Sequence, residues 1–253
     1  LEPGVMSTII GDGINDYSKL TIAGSLNGDD IVLLRKMAGV DTDNTATKGK
    51  LSELNLAEAL FVEGGSPFGP YNRHTQTNVV SQGMFAYCTH LSKITLPTGV
   101  TSIEKDAFEG CTSLRNIEIP ANISMLLPSS GCTALETISV SKANVHYSSV
   151  DGVLLNADAT NIVWFPLGKK GDYTLPATVN CIGDYAFKEC NIEKFILPDA
   201  LTKIGQGAFM NSNIKEVSLP DKLKSIPTGT FQGCKELKIV RMGTKTELIS
   251  DYV

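Results

Sequence analysis

The chain holds one tryptophan and three histidines in 253 residues, and the histidines are scattered. His74, His90 and His146 share no ligand spacing with one another or with a cysteine pair, and no C-x-x-C occurs, so no metal site is expected. No apolar run approaches the roughly 18–20 residues that span a bilayer, which argues against membrane insertion. Basic residues never run longer than pairs such as Lys169-Lys170. With a net charge of −5 the chain lacks the field that holds a phosphate backbone, and nucleic acid is not an expected partner. Neither G-x-S-x-G nor a phosphate-cradling glycine loop is present. The reading is of a non-enzyme with no catalytic residues, no cofactor and no metal ligands.

What the chain has in abundance is repetition. "AFEGCTSLRNIEIP" (Ala107 to Pro120) repeats "MFAYCTHLSKITLP" (Met84 to Pro97), and related copies read "AFKECNIEKFILP", "AFMNSNIKEVSLP" and "TFQGCKELKIVRM". A repeat of this size is one supersecondary unit that buries its apolar face only by stacking on its neighbours. The aromatic recurs at Phe85, Phe108, Phe187, Phe209 and Phe231, and a small residue follows at Cys88, Cys111, Cys190, Ser212 and Cys234. An aliphatic triplet completes each copy, as in Leu114, Ile117 and Ile119 or Leu237, Val240 and Met242. A degenerate copy keeps Cys132, Leu135, Ile138 and Val140 but carries Ser129 where the phenylalanine belongs. Alternation within the triplet is the period-two sign of a short strand, and Pro97, Pro120, Pro198 and Pro220 close four of these strands. One strand per turn predicts a parallel sheet along one face.

The pattern L-x-x-I-x-(L/I)-P, preceded by T-S-I-x-x-x-A-F-x-x-C, resembles the leucine-rich repeats of the BspA-like family, which occur mostly on bacterial surface and secreted proteins. The resemblance runs from Val79 to about Met242. It implies a leucine-rich repeat solenoid, predominantly β within the α/β class, with short strands or 3-10 turns opposite the parallel sheet. Residues 143–176 resemble a segment that interrupts repeats in this family. Its two β-rich runs, "SVDGVLLN" and "NIVWFP", read as a hairpin inserted at about 143–170. The expected organisation is therefore 1–78 as an N-terminal cap with a diverged first repeat, and 79–253 as repeats continuing through the insertion.

Within 1–78, "SKLTIAGSLNGDDIVLLRKMAGV" predicts a strand at Leu20 and Ile22, a turn at Asn27-Gly28, and a helix from about Asp29 to Gly39. Acids at its start and Arg35-Lys36 near its end suit the macrodipole. Leu51, Leu54 and Leu56 repeat the triplet, and "EGGSPFGPYNRHTQTN" reads as a surface loop. Compared with a dockerin or EF-hand calcium loop, "LNGDDIVLLRKMAG" fails, because Ser25 stands where the first carboxylate is required. The opening "LEPGVMSTII" is not a charged-then-apolar leader. That fits either a cytosolic chain or one whose export signal has been removed, and the resemblance implies the second, a secreted or cell-surface protein.

Five of the six cysteines occupy one repeat position, which predicts stacked, buried free thiols, whereas Cys181 matches Ser102 and is expected nearer solvent. Five of nine phenylalanines are the repeat's own core column, leaving Trp164 as the aromatic candidate for an alternative contact site. The outward strand positions are Lys93/Thr95, Asn116/Glu118, Thr137/Ser139, Lys194/Ile196, Glu216/Ser218 and Ile239/Arg241. This candidate binding face is small, polar and mixed in sign, without the aromatic and arginine clusters that anchor tight interfaces. The resemblance implies a non-enzymatic module binding protein or glycan on a host or neighbouring cell. The alternatives are an architectural spacer and, remotely, an enzyme. A short tail after "KELKIVRM" also predicts weak self-association through the C-terminal sheet edge.

Overall fold

The computed structural model describes residues 1–251, which fall into two compact units, Leu1–Asn144 and the residues from Val145 onward. Each is a stack of short turns and is described by itself.

The first unit opens with α1 (Met6–Ile10), then β1 (Lys19–Leu26) and α2 (Gly28–Met37). Asn27 starts α2 by a reciprocal capping box: its side chain accepts the Asp29 N–H at 3.0 Å, and Asp30 accepts the Asn27 N–H at 3.0 Å. Asp30, itself buried, also accepts the N–H groups of Gly4 and Met6 at 2.7 and 3.1 Å, which ties the N-terminal segment to the helix. Gly39 ends the helix region in the left-handed conformation, φ 103°. Arg35 does more than offset the macrodipole. It is fully buried, and its Nη1 donates to the carbonyls of Gly83 and Ala86 at 3.1 and 2.8 Å, pinning α2 to the first full repeat.

After β2 (Glu53–Phe61), the expected surface loop contains a hairpin of β3 (Gly64–Phe68) and β4 (Arg73–Thr75), with Phe68 buried. The many glycines and prolines suggested a loop because they mask the single apolar residue that anchors it. The remaining strands alternate between two faces. β6 (Lys93–Thr95), β8 (Asn116–Ile119) and β10 (Thr137–Val140) extend β1 and β2 into a five-stranded sheet, every neighbour parallel. β5 (Val79–Val80), β7 (Ser102–Ile103) and β9 (Met125–Leu126) form a narrower parallel sheet.

The segment that returns from the narrow sheet to the broad one is the Phe half of the repeat. Phe85 and Phe108 stack with centroids 5.7 Å apart. The Phe85 N–H donates to the carbonyl of Ala107, one turn on, at 2.9 Å. Where the next turn lacks its phenylalanine, the buried Ser129 hydroxyl takes over as acceptor for the Phe108 N–H at 3.1 Å. Ser129 thus completes the ladder that its missing ring would otherwise interrupt.

The second unit begins with β11 (Tyr147–Val150), β12 (Val153–Asn156) and β13 (Asn161–Trp164), an antiparallel meander. "SVDGVLLN" is therefore two strands rather than one. Asp151 and Gly152 both take positive φ, 51° and 75°, as a two-residue hairpin turn requires. β13 then pairs in parallel with β15 (Cys181–Ile182), and β15 with β17 (Lys203–Ile204), so the repeat has resumed at Asn161. On the other face lie β14 (Tyr173–Thr174) with β16 (Phe195–Ile196), and β18 (Glu216–Ser218) with β20 (Ile239–Arg241). A parallel bridge between Lys194 and Glu216 links these pairs, and β19 (Ser225–Ile226) pairs with β21 (Leu248–Ile249). Phe165, Phe187, Phe209 and Phe231 follow one another at 5.0, 5.1 and 5.5 Å, the first pair tilted by 42° and the other two stacked.

All six cysteines are free; Cys88, Cys111, Cys132 and Cys190 are buried, and Cys181 and Cys234 partly so. Their position has a polar function as well. The thiols of Cys111, Cys132 and Cys234 donate to the carbonyls of Phe85, Phe108 and Phe209 in the preceding turn at 3.1, 3.2 and 2.9 Å. A small donor is what the position requires.

Candidate binding face

Alternation decides which strand residues reach solvent. In the first unit Ile94, Ile117 and Ile138 point into the core, while Lys93, Thr95, Asn116, Glu118, Thr137 and Ser139 are exposed or half-buried. Register aligns them into rows across the sheet, with Lys93 beside Asn116, Asn116 beside Thr137, and Glu118 beside Ser139. The second unit presents Lys194, Ile196, Glu216, Ser218, Ile239 and Arg241 in the same way.

Two rungs of the first unit's face lie outside the sequence-derived set. Lys19 aligns with Glu53 and Glu53 with Lys93, and Thr21 aligns with Asn55 and Asn55 with Thr95. The signal was available, since Glu53 and Asn55 flank the buried Leu54 as Lys93 and Thr95 flank Ile94. These three rungs line a depression of about 210 Å³. Lys19 Nζ stands 2.7 Å from Glu53 Oε1. The hydrogen bond from Lys19 holds the Glu53 carboxyl below the usual carboxylate range, and the Lys93 charge adds to the effect.

On the second unit the charges are engaged with one another. Glu216 sits between Lys194 at 2.9 Å and Arg241 at 3.3 Å. Its carboxyl is held low by Lys194 first and Arg241 second, and Lys194 is raised in return. The only apolar breaks in the sequence-derived set are Ile196 and Ile239, 52% and 43% exposed.

Trp164 is not a contact site: it is 2% exposed. The repeat register gives the reason. Phe165 falls 22 residues before Phe187, packs against its ring with centroids 5.0 Å apart, and donates its N–H to the Ala186 carbonyl at 2.9 Å. Trp164 therefore occupies the column of Ala107, Ala186 and Ala208, which is buried throughout.

The carboxylates and thiols elsewhere serve the fold. Asp29 accepts from Ser66 N–H and hydroxyl at 3.0 and 2.6 Å, and Asp30 is used by backbone amides as above. Burial pushes the Cys88 thiol up to about 11 and the Cys190 thiol up to about 12, leaving both protonated near neutrality. Among the described residues no group of three or more His, Cys, Asp or Glu could hold a metal ion, and no helix is long and apolar enough to cross a membrane.

Comparison with known proteins agrees with this architecture. The family model of the BspA type leucine rich repeat region matches residues 73–151 and 169–253 in 6 copies. Among solved structures, a leucine rich cell surface protein from Faecalibacterium prausnitzii A2-165 superposes with a TM-score of 0.61 at 23% identity, covering 92% of this chain and 68% of that one. A leucine-rich repeat protein from Eubacterium ventriosum gives 0.51 at 21%, covering 93% and 70%. The pneumococcal vaccine antigen PcpA gives 0.52 at 16%, covering 93% and 69%. A search of the curated proteins finds no match. At these identities the structural likeness speaks for the fold.

Proposed function

The chain belongs to the BspA-type leucine-rich repeat family, and from that premise we propose that it is a non-enzymatic binding module of a secreted or cell-surface protein, using its outward strand rows to hold a protein or glycan partner. The observation that carries the reading is the unbroken polar face of the first unit. Five parallel strands present two solvent-facing rows with Lys19, Glu53, Lys93, Asn116 and Thr137 in one. Such a face offers many weak polar contacts over a wide area and no aromatic anchor, so affinity is spread thinly. The cell-surface protein among the similar structures supports the proposed location.

The mutual pairing of Lys194, Glu216 and Arg241 favours a second, architectural role for the second unit, whose face satisfies its own charges. A glycan and matrix-protein binding array with the 253-residue chain tests both. Capture of a partner that is weakened by Asn116→Ala with Thr137→Ala supports the binding module; capture unaffected by any strand-face change overturns it.

A further inference from the structure

We propose that the depression over β1, β2 and β6 is a recognition site for an acidic, extended peptide segment of a partner protein. The inference rests on the reading of the strand face as a binding surface and assigns its ligand chemistry. Three observations lead to it.

The first is shape. Between Thr21 and Ala23 the register of β1 and β2 slips, so that Thr21 aligns with Asn55 but Ala23 with Glu58; β2 holds one residue more than β1 over this stretch. A bulge bends its strand and re-aims the neighbouring side chains. The depression of about 210 Å³ lies beside it, lined by Lys19, Thr21, Glu53, Asn55, Lys93 and Thr95 over a floor that includes Leu54.

The second is charge. Lys19 and Lys93 flank the lone Glu53, two cations to one carboxylate, and Lys19 already engages that carboxylate at 2.7 Å. The lining therefore keeps a net positive charge on a chain whose total is −5. Glu118, a rung further on, and Glu58, beyond the bulge, bound the cationic patch.

The third is the balance of donors and acceptors. Asn55 Oδ1 accepts the Ala57 N–H at 3.0 Å, which leaves the amide NH₂ as its open function. With two ammonium groups and the Thr21 and Thr95 hydroxyls, the lining is rich in donors. Its complement is a ligand rich in acceptors, and a carboxylate side chain is the group that meets both conditions. Among the described residues no aromatic ring lines the depression for a sugar face to rest on, which favours a peptide over a glycan as the occupant.

The test is fluorescence anisotropy with a labelled hexapeptide of alternating Ser and Glu, its Ser/Gln counterpart, and an oligogalacturonate of matching charge, titrated with the whole chain. The Glu peptide is expected to bind, to weaken with added salt, and to outcompete the other two. Lys93→Gln and Lys19→Gln should each lower its affinity about two- to fivefold, the scale of an exposed charge contact. Glu53→Gln should raise it by a similar factor, because it removes the competing carboxylate, an effect that loss of structure would not produce. Absence of Glu-peptide binding, Lys variants equal to the parent, a Glu53→Gln variant that binds no better, or tighter binding of the oligogalacturonate overturns the proposal. A partner found on the array and lost with Asn116→Ala and Thr137→Ala, while the Glu peptide fails, leaves the broader binding reading standing and this one refuted.

Discussion

A single phenylalanine carries much of each turn. Phe108 is fully buried, stacks on Phe85, and donates its backbone N–H to the Ser129 hydroxyl. Phe108→Ala should cost about 3–5 kcal/mol, the usual range for a core aromatic, read as a lower denaturant midpoint at unchanged slope. The thiols make a second prediction. The folded pKa values of Cys88 and Cys190 lie above their value of 9.0 in the free side chain, at about 11 and about 12. Unfolded chains lose these protons first as pH rises, so the native state binds more protons between the two values and stability falls there. Melting temperature should be unaffected by these groups below pH 9 and decline from pH 9 towards 12. Cys88→Ala should make that decline shallower, and an identical slope would show that Cys88 does not titrate on unfolding. In the native state at pH 8, a thiol reagent should reach Cys181 and Cys234 and spare the four buried cysteines until the chain is unfolded.

At the level of the element, the turn that carries each phenylalanine depends on left-handed residues on either side of it. Asp106 and Gly110 flank Phe108 at φ 57° and 65°. A Cβ on Gly110 would come within 2.5 Å of the Tyr87 ring, which itself springs from a left-handed residue one turn earlier. Gly110→Ala therefore adds a clash to a strained φ and should destabilise by about 1–2 kcal/mol; Gly207, whose Cβ would meet Tyr185 at the same distance, should respond alike. Equal melting temperatures for parent and Gly110→Ala would refute the packing argument. The strand alternation at these turns was legible in the sequence because period two needs only adjacent residues. The turn at Asp151-Gly152 is legible too, in the Asp-Gly pair that a two-residue hairpin prefers, although the apolar residues on both sides give it the look of a single strand. Trp164 escapes the pattern for a different reason. A bulky indole in a column that elsewhere holds alanine, methionine or threonine disguises the copy, although the interval from Phe165 to Phe187 preserves the period.

For the molecule as a whole, what escaped the sequence was mostly what depends on backbone partners or on distant rungs. Arg35 is buried against carbonyl groups, which no side-chain pattern announces. The rungs at Lys19/Thr21 and Glu53/Asn55 lack the Phe-Cys half and the closing proline; although Leu51, Leu54 and Leu56 mark a diverged repeat, the residues flanking Leu54 are absent from the sequence-derived face, and its best-formed part goes with them. The edge strands of the second unit lead to the last prediction. Val240 and Met242 hold the inward positions of their repeat but are 38% and 42% exposed, and Leu248 and Ile249 on β21 are more open still. At the same positions one turn earlier Val217 and Leu219 are buried. Unpaired edges bearing apolar side chains favour pairing with another chain. The 253-residue chain is accordingly expected to associate weakly, with sedimentation velocity showing a concentration-dependent increase in mass. Leu248→Glu with Ile249→Glu should suppress it without lowering the melting temperature, because both side chains already face solvent. Neutralising Lys194, Glu216 and Arg241 together should leave association intact, since these charges pair across the strand face. A monomer at all concentrations would mean that the mixed charges of Lys238, Arg241, Lys245 and Glu247 around the edge keep copies apart, as charged edges do in soluble sheets.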